Sequence, residues 1–293
     1  MLSILIPTYN YDCFSLVKEL KQQADELELI YEIIVQDDFS QHCIDENSNI
    51  NSLQNCSFQI NVENLGRTKN RTNLAQNATF DLILFLDSDV FPEKNTFLKD
   101  YLETYKKEKT IVFGGYKYAD IKPKSSKILR YKYGKEREEK PSEIRNKKPY
   151  SYVFSGNILV EKSVFLNANF NENRNLYGMD IFFSYNLFKY KIPIIHIDNA
   201  IFHYGLEDNE VFFNKNLESV DNRKRYLSDK KDISKINSLL KYYLLIKKMN
   251  IDKIIYWLFL KFEKKLKKSI LSEHPNLLYM DLYRLGYICN DKY

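Results

Sequence analysis

The stretch LFLDSDVF, residues 84–91, ends an apolar run with two carboxylates one residue apart, Asp87 and Asp89. A desolvated carboxylate needs a partner, so a buried strand that finishes in this way calls for a physical reason. Two other apolar runs also end in polar clusters, PTYN at 7–10 and QDDFS at 36–40. Parallel strands of one sheet would bring all three clusters to a common rim, and ligands of such sheets bind in the crevice above it. Carboxylates at that rim are balanced if a hard divalent cation lies between them and a phosphate-bearing ligand, because Mg2+ and Mn2+ favour oxygen donors. An isolated Asp-x-Asp is a weak motif, and its place directly after LILFL strengthens it.

The elements needed to build that rim can be drawn from the pattern. Short β-branched or apolar runs alternate with longer amphipathic ones over the first hundred residues, the pattern of βαβ units and a parallel sheet. Strands are predicted at 2–6, 32–35, 58–62 and 82–86, with helices at about 13–29, 67–79 and 94–107. The basic segment 116–149 has little periodicity and reads as a mobile loop. Residues 152–160 read as a strand pair around Gly156, followed by a short helix from Glu161, a helix with Asp180 near its start, and two short strands within IPIIHIDNAIFHYG. From about 207 the chain reads as helical. Residues 252–271 form one amphipathic helix with Ile255, Leu258, Phe259, Phe262, Leu266 and Ile270 on its apolar face. The fold class is α/β, a mostly parallel sheet flanked by helices with a helical C-terminal extension.

With 293 residues, 44% hydrophobic and 15% aromatic, the chain can bury a full core and is expected to fold throughout. Its start lacks the features of a signal peptide, and no apolar run approaches the roughly 20 residues that span a bilayer. Four cysteines without a C-x-x-C spacing suit a reducing cytoplasm. The net charge of +5 is uneven: residues 116–149 carry +7 and residues 235–272 carry +8, so the remainder is acidic. Such segments suit an anionic partner or a membrane surface. Neither carries a nucleic-acid motif, and a carboxylate rim without a metal repels phosphates, so nucleic-acid binding is set aside. The amphipathic helix is expected to pack on the body of the protein or on a second subunit of a homo-oligomer, with an anionic membrane surface as the other candidate.

Taken in order, SILIPTYN, EIIVQDDFS, NLGRTKNRTNLAQNATFDLILFLDSDV and SGNILVEKSVF resemble the successive motifs of family 2 glycosyltransferases of GT-A fold, over about residues 1–230. That resemblance implies a transferase domain at 1–230, with a nucleotide-binding half at 1–110 and an acceptor-side half at 111–230, followed by an extension at 231–293. It implies an inverting, metal-dependent transfer of a sugar from a nucleotide diphosphate, most simply a UDP-sugar, to a hydroxyl of a glycan or lipid-linked glycan in surface polysaccharide synthesis. The enzyme would be cytoplasmic, peripheral on the inner membrane face through 235–272.

Carried over by position, the resemblance places Thr8, Tyr9 and Asn10 beside the nucleotide and Asp38 on the base, where a carboxylate accepting an imide N–H suits uracil. Arg71 falls near the nucleotide or diphosphate. Within Asp87-Ser88-Asp89, Asp89 ligates Mn2+ or Mg2+ and Asp87 reaches the ribose or a metal-bound water, with Ser88 between them at the donor. His203 matches a histidine that completes the metal shell in some members. Gly156 and Asn157 fall beneath the donor sugar. Asp180 matches the catalytic base, and Met179 stands where the family usually has an acid. Two other readings stand beside it: a sugar nucleotidyltransferase, which needs a Gly-rich phosphate loop that PTYNYD does not supply, and a catalytically silent nucleotide-sugar-binding scaffold.

Overall fold

A computed structural model describes residues 1–105, 110–170 and 176–291. In chain order its elements are β1 (Leu2–Thr8), α1 (Phe14–Glu26), β2 (Tyr31–Asp37), α2 (Ile44–Ser48), β3 (Cys56–Ile60), α3 (Arg67–Asn77), β4 (Leu82–Leu86), β5 (Val90–Pro92), α4 (Phe97–Thr104), β6 (Ile111–Phe113) and β7 (Tyr116–Lys117). There follow α5 (Ile128–Tyr133), α6 (Ser142–Asn146), β8 (Asn157–Glu161), α7 (Lys162–Ala168), α8 (Asp180–Lys189), β9 (Ile194–His196), β10 (Ile201–His203), α9 (Asn209–Leu227), α10 (Ser238–Lys248), α11 (Asp252–Ile270) and α12 (Leu277–Ile288). Packing divides the chain into two compact units. One comprises residues 1–119, 139–175 and 186–205, the other 120–138, 176–185 and 206–293. That division follows contact density and is distinct from the expected end of the transferase module near residue 230.

The first unit holds both sheets. Seven strands run in the order β3-β2-β1-β4-β8-β6-β9 and three more in the order β5-β10-β7. β1, β2, β3 and β4 are mutually parallel, while β8 lies antiparallel between β4 and β6. Ile4, Leu5 and Ile6 of β1 and Ile83, Leu84, Phe85 and Leu86 of β4 are fully buried, as expected for central parallel strands covered on both faces. Each such side chain contributes roughly 1.5–3 kcal/mol by leaving water. α1 buries Leu16, Val17, Leu20, Gln23 and Ala24, a stripe at helical spacing.

Several expectations need correction. β3 begins and ends two residues before the predicted 58–62. The helix expected to reach 107 ends at Thr104, and its last predicted residues lie outside the described ones. Only Asn157–Glu161 of the expected strand pair is a strand. The basic segment 116–149 is an ordered run containing β7, α5, α6 and a π-helical turn at Gly134–Glu138. Elements of five or six residues are too short to show a period, which is why they read as a loop.

A basic residue of that segment sits in the core. Arg145 is 2% exposed, and its guanidinium donates to the carbonyls of Lys140 (2.9 Å), Phe113 (3.3 Å), Gly114 (3.1 Å) and Ile197 (2.7 Å). It also donates to His196 Nδ1 at 2.9 Å, which makes Nδ1 the acceptor and leaves Nε2–H to donate to the Pro149 carbonyl at 2.9 Å. Burial, followed by the Arg145 charge, pushes the imidazole from 6.5 down to about 4, despite the opposing Pro149 hydrogen bond. The unfolded chain therefore binds a proton below pH 6.5 that the native protein refuses until about pH 4. Stability contributed by neutral His196 is complete above 6.5 and falls by about 1.4 kcal/mol per pH unit as the pH drops through that window. Urea unfolding from pH 7 to 5 should show this slope, and His196→Gln should flatten it; parallel slopes in the two proteins would refute the assignment.

The second unit is helical. Leu129 of α5, Phe212 and Phe213 of α9, Phe259 and Ile270 of α11, and Leu277, Met280 and Tyr283 of α12 form its core. α11 spans the expected stretch, but its buried stripe is rotated from the predicted one. Phe259 and Ile270 are buried and Ile255 and Leu266 partly so, whereas Leu258 and Phe262 stand exposed.

Candidate active site at the strand ends

The carboxyl ends of β1 and β2 are level, since Thr8 pairs in register with Asp37. β4 is registered with Leu5 beside Phe85 and ends at Leu86, so Asp87 leaves the sheet at the same carboxyl edge. PTYN, QDDFS and DSD are therefore brought to one rim by the parallel ladder, as their positions in the sequence predict.

The individual side chains divide between frame and crevice. Asp38 is buried, and its carboxylate accepts from Asn61 Nδ2 (3.0 Å), Leu65 N (2.8 Å) and Gly66 N (2.8 Å). Three of its roughly four acceptor positions are thus used to hold the turn that starts α3. Thr8 is buried and donates to the Tyr11 carbonyl at 3.1 Å, while Asn10 accepts from the backbone of Gln41 (2.8 Å) and His42 (3.2 Å). Tyr9, by contrast, is 53% exposed at the rim. Asn157 is wholly committed to the protein: Nδ2 donates to Gly115 and Asn199 carbonyls, and Oδ1 accepts from Tyr101 Oη at 2.6 Å.

Asp87 and Asp89 have different neighbours. Arg71 is buried and pairs through Nη2 with Asp87 Oδ1. Burial alone would push the Asp87 carboxyl up, but the positive fields of Arg71, Arg67 and His203, with the Arg71 hydrogen bond, outweigh it and hold the group below its usual range. Gly156 donates space: a Cβ there would come 2.0 Å from Asp87 Oδ2 and 2.3 Å from Tyr116 Oη, so only glycine permits this approach. Ser88 lies between the two aspartates, partly buried.

Asp89 faces His203. The antiparallel β5–β10 ladder sets Val90 beside His203, and Tyr204 N donates to the Asp89 carbonyl at 2.9 Å. His203 Nε2 lies 3.6 Å from Asp89 Oδ2, too long for a hydrogen bond and short enough for one cation to bridge. His203 Nδ1 is buried without a hydrogen-bond partner among the described residues. Gly205 completes the cradle, since a Cβ at that position would fall 1.6 Å from Asp89 Oδ2. No group of three or more His, Cys, Asp or Glu is placed to enclose a metal among the described residues. Two donors, one oxygen and one nitrogen, are of the kind an ion such as Mg2+ or Mn2+ accepts, and any further ligands would have to come from elsewhere. Of the three expected ligands, Asp89 and His203 thus face each other while Asp87 is held by Arg71.

Tyr11, Arg67, Tyr116 and Tyr204 were not singled out by the sequence. Burial first, then the negative field of Asp89, push the Tyr11 hydroxyl up. Tyr11 stands within the field of Asp89 and Tyr204 is bonded to it through the backbone, and closeness to PTYN and His203 is the only sequence signal for either. Asp180, the first residue of α8, belongs to the second unit. In that unit Tyr177 N donates to Glu218 Oε1 at 2.9 Å, and Asn222 Nδ2 donates to the Tyr177 carbonyl at 3.0 Å, which ties the segment before Asp180 to α9.

A parallel sheet with its acidic cluster after β4, and helices on its faces, is the GT-A arrangement of nucleotide-sugar glycosyltransferases. The chain belongs to glycosyl transferase family 2, whose model matches residues 3–165. Among solved structures it is similar to S. aureus TarS, at 19% identity and a TM-score of 0.53, covering 80% of this chain and 41% of that one. It is similar also to the mannosyltransferase PcManGT from Pyrobaculum calidifontis, in complex with GDP-Man and Mn2+, at 13% identity and a TM-score of 0.53, covering 82% and 68%. The chain thus spans less than half the length of TarS, and at these identities the likeness establishes the fold alone. No curated protein sequence matches.

Proposed function

We propose that the protein is an inverting, divalent-metal-dependent glycosyltransferase that moves a sugar from a UDP-linked donor to a hydroxyl of a glycan or lipid-linked glycan, within surface polysaccharide synthesis at the cytoplasmic face of the membrane. The observation that carries this reading is the Asp89–His203 pair, which the β5–β10 ladder forms just beyond the end of β4 in a family 2 chain. When bound, the ion would offset the charge of the donor diphosphate and of the leaving UDP. Asp89 and His203 would hold it. Tyr9 would flank the nucleotide, and Asp38 has one acceptor position left for a uracil N–H. Arg71 would act through Asp87, fixing that carboxylate toward the ribose. Asp180 would take the acceptor hydroxyl proton as its oxygen bonds to the anomeric carbon and the bond to the diphosphate breaks. Residues 1–230 would be the transferase module and 231–293 its extension.

Thermal unfolding with UDP, GDP and their sugars, with and without Mn2+, tests the donor assignment. A ligand at a hundred times its Kd adds about 2.7 kcal/mol to the native state. UDP with Mn2+ should raise the melting temperature more than either alone and more than GDP does. A protein indifferent to all of them would defeat the proposal.

The membrane contact has support from α11. Ile254, Trp257, Leu258 and Phe262 are exposed along it, and Lys261, Lys264, Lys265 and Lys268 are interleaved with them. Lys261 Nζ lies 3.5 Å from the Trp257 ring centroid. Apolar side chains among lysines match an anionic lipid surface, where the lysine stems can bury and their charges reach phosphates. No helix among the described residues is long and apolar enough to cross a membrane. The protein should pellet with phosphatidylserine vesicles at low salt, and Trp257→Glu should release it; equal sedimentation of both proteins would remove this contact.

A further inference from the structure

Two arginines of the second unit hold buried Nε atoms and have little counter-charge among the described residues. Arg284 of α12 is 8% exposed, Arg223 of α9 is partly buried, and the Nε atoms of both are buried with no hydrogen-bond partner among the described residues. The nearest ion pair of Arg284 is a 3.9 Å contact with Asp281, a carboxylate already bound by Arg137 Nη2 at 2.6 Å. No ion pair of Arg223 is found among the described residues. α9 and α12 pack together in this unit. A buried Nε–H left without a partner is costly, and the mutual repulsion of two neighbouring guanidinium charges adds to that cost.

The neighbours of this pair include the segment that leads into α8. Arg223 follows Asn222, whose side chain holds the Tyr177 carbonyl. A Cβ at Gly178 would lie 2.1 Å from Ser219 Oγ, so the chain approaching Asp180 rests directly on α9. Burial, then repulsion from Arg284, push Arg223 down to about 10, while Tyr133, Tyr177 and Asp180 pull the other way. Those directions describe a cation short of negative charge with Asp180 close by.

We propose that Arg223 and Arg284 form an anion site beside Asp180 that takes a phosphate group carried by the acceptor. One carboxylate is satisfied by a single guanidinium fork, whereas a tetrahedral phosphate can accept from two forks at once. The assignment to the acceptor rests on the reading of Asp180 as base; the anion site itself rests on the arginines alone.

The probe is inorganic phosphate, titrated calorimetrically into the full chain at constant ionic strength with UDP and Mg2+ saturating, so that a diphosphate subsite is already filled. Phosphate should bind, acetate should not, and Arg223→Gln and Arg284→Gln should each weaken phosphate at least tenfold with UDP affinity within twofold of wild type. Arg223→Lys, which keeps the charge, should retain part of the affinity and serves if Arg284→Gln fails to fold. Loss of phosphate binding once UDP saturates, equal binding by acetate, or unchanged affinity in folded variants would overturn the site. Polyol and sugar phosphates should accept sugar at least tenfold better than their unphosphorylated counterparts, and Arg223→Gln should erase that ratio. A wild-type ratio near one would overturn the acceptor assignment. Wild type that binds phosphate but not UDP would sink the transferase reading and leave the anion site standing.

Discussion

Asp89→Ala is expected to lower sugar transfer by about three orders of magnitude or more and to abolish the metal dependence of UDP binding. Stabilising the charge of a departing diphosphate is worth several kcal/mol, and each 1.36 kcal/mol is about tenfold in rate. Asp89 contributes its carboxylate to the pair with His203, while its backbone, not its side chain, takes the Tyr204 hydrogen bond. Truncation should therefore leave the β5–β10 ladder and the melting temperature nearly intact. His203→Ala should act in the same direction and more weakly, because a water can replace one imidazole nitrogen more readily than a carboxylate. Calorimetry of UDP binding with and without Mn2+ separates this from a folding defect. An Asp89→Ala protein that retains Mn2+-dependent UDP binding would refute the metal assignment whatever its activity.

Asp180→Asn should reduce transfer by roughly 10²–10⁴, the usual contribution of a positioned general base, with donor affinity unchanged within about twofold. Asparagine keeps the shape and loses the ability to accept a proton, so the effect should fall on the chemical step and not on UDP binding. At the start of α8 an aspartate also interacts favourably with the helix terminus, a contribution of about 0.3–1 kcal/mol that the substitution forfeits. That effect is small beside the expected rate loss and is visible in thermal unfolding. Met179, where the resemblance places an acid, is buried and carries a thioether with no titratable proton, so it cannot share the base's role. Asp180→Asn with transfer within threefold of wild type would assign the base elsewhere.

How far the sequence could be read follows the length of its periods. β1, β2, β4 and α1 are legible because apolar residues recur over enough positions to reveal a strand or a helix, and the ladder that aligns PTYN, QDDFS and DSD is a consequence of those strands being parallel. Residues 152–156 looked like strand by composition, yet the ladder begins only at Asn157, where Gly156 has brought the chain against Asp87. Side-chain type alone could not show that Asn157 and most of Asp38 serve the frame, since a polar atom reads the same whether it meets a ligand or a carbonyl.

The sequence by itself determined the α/β class, the family, the end of the sheet at which polar groups gather, and, through the resemblance, Asp87, Asp89 and His203 as candidate metal ligands. Tertiary structure alone decided that Arg71 holds Asp87, that Arg145 lies in the core against His196, which of the faces of α11 is buried, and that the packing of α9 on α12 brings Arg223 into the field of Arg284. Local periodicity is set by neighbours within a few residues, whereas these pairings join side chains 16, 51 and 61 positions apart, and only the folded backbone brings such partners within reach.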